Sequence, residues 1–237
     1  MTALSVDIDG RISAATGSGI YLVTDTGLCG DREGVAATAA AAAAGGVRTV
    51  QLRDPSATTR ELVALGRALR AALDPFGVPL VVNDRADVAI VVGAAGVHVG
   101  QRDLDPRDAR ALLGPQAHVG LSISNERELA DALALPAGTV DLLGVGPIRD
   151  TPSKTDAAPA MGWAGLAAVC AASPVPAVAI GGIGVADLAT VARSGAVGAA
   201  VISAICGRED PDSAARELVS SWELAAAAAR DGGGRGA

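Results

Sequence analysis

The chain has 237 residues, half of them hydrophobic, with only 2% aromatic residues and a formal net charge of −7. That length and apolar content suit one large domain, since α/β barrels run to roughly 250 residues as a single unit. Scarce aromatics and an acidic balance argue against base stacking and against a basic nucleic-acid surface, so no nucleic-acid partner is expected. Phosphates remain accessible ligands, because a few local cations and backbone N–H groups suffice to hold them.

At the start of the chain Asp7 and Asp9 precede any apolar run, and no basic stretch leads into an apolar one, so no secretory signal is read. The longest apolar run, Ala36 to Ala44, is interrupted by Thr38 and is too short to span a bilayer. Cys29, Cys170 and Cys206 form no CxxC and no zinc-site spacing, which suits reduced thiols in a cytoplasmic protein. A cytoplasmic protein with no membrane partner is expected.

Residues 1–18 read as a flexible lead-in, 19–229 as one domain and 230–237 as a flexible Gly-rich tail. Within the domain one pattern recurs: a short β-branched run, a polar or Gly-rich turn, then an Ala/Leu-rich segment of helical period. Strands are expected at 20–24, 49–53, 79–83, 97–99, 118–122, 141–145, 177–181 and 198–203. Helices are expected at 34–44, 57–73, 85–92, 106–113, 125–134, 163–172, 185–194 and 211–229. Asp105 caps the helix that opens on Pro106, Gly45-Gly46 and Gly114-Pro115 stop two helices, and Asp210-Pro211 starts the last. Strands that read as continuous apolar runs belong to a parallel sheet buried on both faces. The expected fold class is α/β, a (β/α)8 TIM barrel with a parallel eight-stranded sheet. A doubly wound open sheet is the alternative, weakened because no GxGxxG follows the first strand.

Active sites of such barrels lie at the C-terminal strand ends. There the sequence places Gln51, Arg53, Asp54 and Pro55 after strand 2, Asn83, Asp84 and Arg85 after strand 3, and Asp103 after strand 4. Ser122 ends strand 5, Gly181-Gly182 ends strand 7, and Ile202-Ser203 ends strand 8. Asp84 and Asp103 follow neighbouring strands and could share Mg²⁺, or they could cap the next helices or pair with Arg85 and Arg102. The Gly181-Gly182 turn suits either a phosphate or a plain structural bend. The long loop after strand 6 carries Thr151, Ser153 and Lys154, and a loop of that length is typical of a binding loop. His98 reads as a packing residue, and His118 opens strand 5 at the end away from the mouth.

The series YLVTD (21–25), QLRDP (51–55), VNDRADVA (82–89), GVHVGQRDL (96–104), GLSIS (120–124), LGVGPIRDTPSK (143–154), AIGGI (179–183) and AVISAI (200–205) resembles the thiamine-phosphate synthase family, over roughly residues 19–220. The resemblance implies a transferase of thiamine biosynthesis. It would join 4-amino-2-methyl-5-(diphosphooxymethyl)pyrimidine to 4-methyl-5-(2-phosphooxyethyl)thiazole, giving thiamine phosphate and pyrophosphate with Mg²⁺ as cofactor. By motif, Gln51, Leu52, Arg53, Asp54, Pro55 and Asn83 would bind the pyrimidine diphosphate, and Asp84 and Asp103 would hold the metal. Ser122 and Lys154 would contact the pyrimidine or its diphosphate and, with Arg53, carry the catalytic roles. Thr151, Pro152 and Ser153 would line the thiazole-phosphate site, and Gly182, Ile202 and Ser203 would cradle its phosphate. Pro55 stands where many members have lysine, a missing diphosphate cation for which the nearby Arg85 is a candidate replacement. Ser153 replaces a common threonine and keeps the hydroxyl. The resemblance leaves two alternatives, a related barrel that isomerises thiazole phosphate and a non-catalytic thiamine-phosphate binding or sensor protein. A homo-oligomer is compatible with the sequence.

Overall fold

The structure, a computed structural model, describes residues 18–149 and 159–233. Its eight strands are β1 (Gly19–Val23), β2 (Thr49–Leu52), β3 (Leu80–Asn83), β4 (Gly96–Val99), β5 (His118–Ile123), β6 (Leu142–Val145), β7 (Ala177–Ile180) and β8 (Gly198–Val201). Between and after them run α1 (Arg32–Ala44), α2 (Thr59–Leu73), α3 (Ala86–Val92), α4 (Pro106–Leu113), α5 (Glu126–Leu133), α6 (Gly162–Ala172), α7 (Leu188–Arg193) and α8 (Pro211–Gly233). The strands pair in parallel in chain order and close through β1 and β8, where Tyr21 registers with Ala200. The expected TIM barrel is therefore the observed fold.

Period-two alternation divides each strand between two environments. Ile20, Leu22, Val50, Leu52, Val82, Val97 and Val99 face outward and pack in one continuous core with the helices. Tyr21, Val23, Leu142, Val178 and Ala200 come from strands alone and form a separate cluster that fills the barrel interior. Both faces are apolar through most of the barrel, which is why the strands read as unbroken hydrophobic runs.

Local chemistry sets the element ends. Asp31 accepts from Gly34 N at 2.8 Å and starts α1 ahead of the expected Gly34. Thr58 and Glu61 form a reciprocal capping box at α2. Asp105 caps α4 through Arg107 N, as expected. The expected helix 185–194 splits into a 3₁₀ turn, Val185–Asp187, followed by α7. α8 runs through Gly233, past the expected stop at Ala229, while residues 1–17 and 234–237 of the expected lead-in and tail lie outside the described residues. β2 and β8 end at Leu52 and Val201, short of the expected Arg53 and Ser203, so those polar ends leave the ladder. Among the described residues no helix is long and apolar enough to cross a membrane.

The floor of the barrel, at the N-terminal strand ends, is tied by Arg110. Its guanidinium donates to the carbonyls of Gly114 and Ala117 and to the Asp141 carboxylate, which also accepts from Val119 N at 2.8 Å. His118 lies buried beside them, and burial pushes its imidazole down to about 4, with Asp141 opposing and Arg110 adding to the shift.

Candidate active site

Strand register carries one face of the barrel from residue to residue. Val23 pairs with Gln51, Gln51 with Val81, Asn83 with His98, His98 with Gly120, and Ser122 with Gly144. Because Val23 and Leu142 lie in the interior cluster, Gln51, Asn83, His98 and Ser122 share that inner face, stacked toward the C-terminal mouth. Gln51 Nε2 donates to Tyr21 Oη at 2.9 Å. Burial pushes the Tyr21 phenol well above its ordinary value, with the Gln51 bond opposing, so it stays protonated.

His98 is more than a packing residue. Its Nε2 stands 3.1 Å from Ser122 Oγ, and its ring lies where side chains at 120 and 144 would be. A Cβ on Gly120 would come within 2.2 Å of His98 Nδ1, so glycine is the only residue that admits the ring in this pose. Gln101 Nε2 donates to the Ser122 carbonyl at 2.7 Å, fixing the same residue from the β4 side.

The segment after β2 has divided roles. Leu52 turns outward into the helix layer, so only its backbone faces the mouth. Arg53 is held through its main chain, which exchanges hydrogen bonds with Thr24 Oγ1, and its guanidinium pairs with no described residue. The Asp54 carboxylate is buried and committed. It accepts from Thr26, Ser56 N and Ser56 Oγ and lies 3.4 Å from Arg32 Nε, and these groups hold it below the usual carboxylate range although burial opposes them. Asp54 thus braces the loop. Pro55 is exposed. Arg85, the candidate replacement cation, is gripped by Asp87 through two hydrogen bonds and by Thr59 through a third.

Asp84 and Asp103 flank the end of β4. Asp84 N donates to the His98 carbonyl at 2.8 Å, and Asn83 Nδ2 donates to Asp84 Oδ2 at 2.6 Å. Asp84 is the non-glycine residue at positive φ, 61°, among the described residues, a conformation costing about 1 kcal/mol that only the surrounding bonds sustain. Asp103 folds back so that Oδ2 accepts from Gly100 N at 2.9 Å. Of the alternatives, Arg85 pairs with Asp87, and Asp105 rather than Asp103 caps α4. No group of three or more His, Cys, Asp or Glu gathers among the described residues. Two carboxylates of hard oxygen donors still fit Mg²⁺, which commonly takes one or two carboxylates and completes its shell with water and substrate phosphate.

On the opposite side of the mouth, Gly181 and Gly182 turn at φ 103° and 69°. Ile148 N and Arg149 N donate to the Ile180 and Gly181 carbonyls, prolonging the β6–β7 contact. Ile202 is half-buried and Ser203 exposed, just past the β8 ladder. Behind them Cys206 contacts the Val23 carbonyl, and the neighbouring Cys29 and burial push its thiol up. Thr151, Pro152, Ser153 and Lys154 lie outside the described residues.

Residues 20–205 match the family model described as thiamine monophosphate synthase. The chain belongs to the thiamine monophosphate synthase family. It is 51% identical to the thiamine-phosphate synthase of Xanthobacter autotrophicus and 49% identical to that of Azorhizobium caulinodans, each over 84% of this chain and 92% of the relative. Among solved structures, the thiamine phosphate pyrophosphorylase of Pyrococcus furiosus superposes with a TM-score of 0.79 at 30% identity, covering 90% of this chain and 99% of that one. A 3-hexulose-6-phosphate synthase, 21% identical with a TM-score of 0.65, shares the fold alone.

Two residues at this mouth escape a sequence reading. His98 had a usable signal, since period-two counting from Asn83 across the register places it inside. Arg149 had none, because its acidic partner Asp187 is 38 residues away.

Proposed function

We propose that this protein is a thiamine-phosphate synthase that condenses the pyrimidine methyl diphosphate with the thiazole ethyl phosphate, releasing pyrophosphate. The observation that carries the reading is the convergence of Gln51, Asn83, Ser122 and Arg53, whose guanidinium pairs with no described residue, on one mouth of a barrel that belongs to this family. The aminopyrimidine would sit over the inner face, where the Ser122 hydroxyl, backed by His98, and the Gln51 amide offer hydrogen bonds. Its diphosphate would lie toward Arg53, whose charge no described partner consumes, with Lys154 as a second cation.

Asp84 and Asp103 would hold Mg²⁺, which when bound supplies charge neutralisation to the diphosphate oxygens. Arg53 and Lys154 would stabilise the departing pyrophosphate. The aminopyrimidine ring itself delocalises the charge left on its methylene carbon, and the thiazole nitrogen then attacks that carbon. One C–O bond breaks and one C–N bond forms, with the electron pair leaving on pyrophosphate. No protein nucleophile is needed. The barrel's task is to align two substrates and keep water from the cation. The thiazole phosphate would bind at Gly182, Ile202 and Ser203, with Thr151, Pro152 and Ser153 along its flank.

The test is to incubate the protein with both substrates and Mg²⁺ and to quantify pyrophosphate and thiamine phosphate. Equal yields of the two products are expected. Binding without turnover would instead mark a sensor, and isomerised thiazole phosphate without pyrophosphate would mark an isomerase.

A further inference from the structure

The turn after β7 is held from behind by Arg149. Arg149 N donates to the Gly181 carbonyl at 3.3 Å, and Nη1 donates to the Gly182 carbonyl at 2.9 Å. The same guanidinium grips the Asp187 carboxylate through Nη1 at 2.7 Å and Nη2 at 2.5 Å. Asp187 Oδ2 in turn accepts from Gly184 N at 2.9 Å, so the ion pair spans the turn from Gly182 to Gly184. The guanidinium carbon also lies 5.1 Å from the centre of the Trp163 ring at the start of α6, which limits its swing.

In a trans peptide the carbonyl and the following N–H point in opposite directions. Two successive carbonyls, Gly181 and Gly182, are drawn toward Arg149, so the next two amides, Gly182 N–H and Ile183 N–H, are turned away from it together. Consecutive amides turned to one side form a concave anion cradle. The positive φ at Gly181 and Gly182 is the backbone state that permits it. The positive charge of Arg149 is matched by Asp187, which the guanidinium holds below the ordinary carboxylate range.

We infer that Arg149 is a positioning residue for phosphate recognition: clamped by Asp187, it orients the amides of the Gly181-Gly182-Ile183 turn and so sets the preference for a phosphorylated over an unphosphorylated thiazole. The inference rests on the reading that this turn binds the thiazole phosphate. Arg149 acts through backbone geometry and is not itself a phosphate ligand.

Calorimetric titration of the full chain with the thiazole phosphate and with its unphosphorylated alcohol tests this without requiring turnover. Arg149→Met and Asp187→Asn are each expected to weaken binding of the phosphate about tenfold while changing binding of the alcohol by less than about twofold. Arg149→Lys restores little, because one ammonium cannot hold both the Gly182 carbonyl and the Asp187 carboxylate. Unchanged phosphate affinity in folded Arg149→Met overturns the inference, as does equal loss for phosphate and alcohol, which would mark a scaffold role. Weakening in Arg149→Met with none in Asp187→Asn also overturns it, by marking a direct charge contact. Gly182→Ala separates the inference from the reading beneath it. If Gly182→Ala weakens phosphate binding and Arg149→Met does not, only the positioning role fails; if neither does, the turn is not the phosphate site.

Discussion

The two ends of this barrel carry similar residue types for different ends. On the floor, Arg110 spends its hydrogen bonds on the carbonyls of Gly114 and Ala117 and on Asp141, whose carboxylate also holds Val119 N. At the mouth, the Arg53 guanidinium pairs with no described residue, Asp84 sits at positive φ, and the β2 and β8 strands end before Arg53 and Ile202. Arginine and aspartate alone therefore do not mark a site. What separates the two ends is the arginine: Arg110 is engaged by two carbonyls and a carboxylate on the floor, whereas the Arg53 guanidinium has no partner among the described residues at the mouth.

The largest effect at the mouth is expected at Asp84. Asp84→Ala is expected to lower turnover about a thousandfold at limiting Mg²⁺, roughly 4 kcal/mol of transition-state stabilisation, with the chain still folded and the melting temperature only slightly lowered, since alanine tolerates positive φ less well than aspartate and loses the Asn83 bond. Near-normal turnover of the purified variant would remove the metal role.

A pH titration of stability probes the floor. His118 is held near pH 4 in the fold against an ordinary 6.5. Between those values the unfolded chain takes up a proton that the folded chain refuses, so this contribution is complete above the unfolded value and is lost as pH falls toward 4. The loss amounts to about 3 kcal/mol at most. Urea melts of the wild type and of His118→Leu should diverge in slope over that window; parallel curves would show that His118 is not held neutral.

Arg110→Met removes the floor's central donor. About 2 kcal/mol of stability should be lost, read by denaturant midpoint, while both substrate KM values stay within about twofold of the wild type. A selective rise in one KM would mean that the floor reports to the site.

Ser122→Ala is the smallest change. Losing one hydrogen bond to a neutral group should raise the KM for the pyrimidine diphosphate about five- to tenfold, leaving the thiazole-phosphate KM and the melting temperature in place. An unchanged pyrimidine KM would take Ser122 out of that subsite.

The sequence made the barrel legible because each unit announces itself locally: Asp105 before Pro106, glycines after helices, and strands apolar on both faces. The polar ends at Gln51, Asn83, Asp84 and Ser122 were legible for the same reason, since each interrupts an apolar run at a strand's end. Function within those ends was less so. Gln51 and Leu52 are adjacent, yet one faces the interior and the other the helices, and a continuous apolar run hides that alternation. Asp54 looks like its neighbours in sequence but is consumed by Thr26, Ser56 and Arg32, the first and last of them contributed from the chain before β2. Arg85 stood out as a spare cation only because its grip on Asp87 is a matter of side-chain geometry. His98 and Arg149 depend on partners 24 and 38 residues away, a separation at which single-sequence pattern carries no distance information.

The decisive measurement is a crystal structure of the protein with pyrophosphate and Mg²⁺. Pyrophosphate should lie at the mouth against Arg53, with the metal on Asp84 and Asp103 and the floor unchanged. Pyrophosphate bound elsewhere, or a metal held without either aspartate, would mean that this mouth is not the diphosphate site.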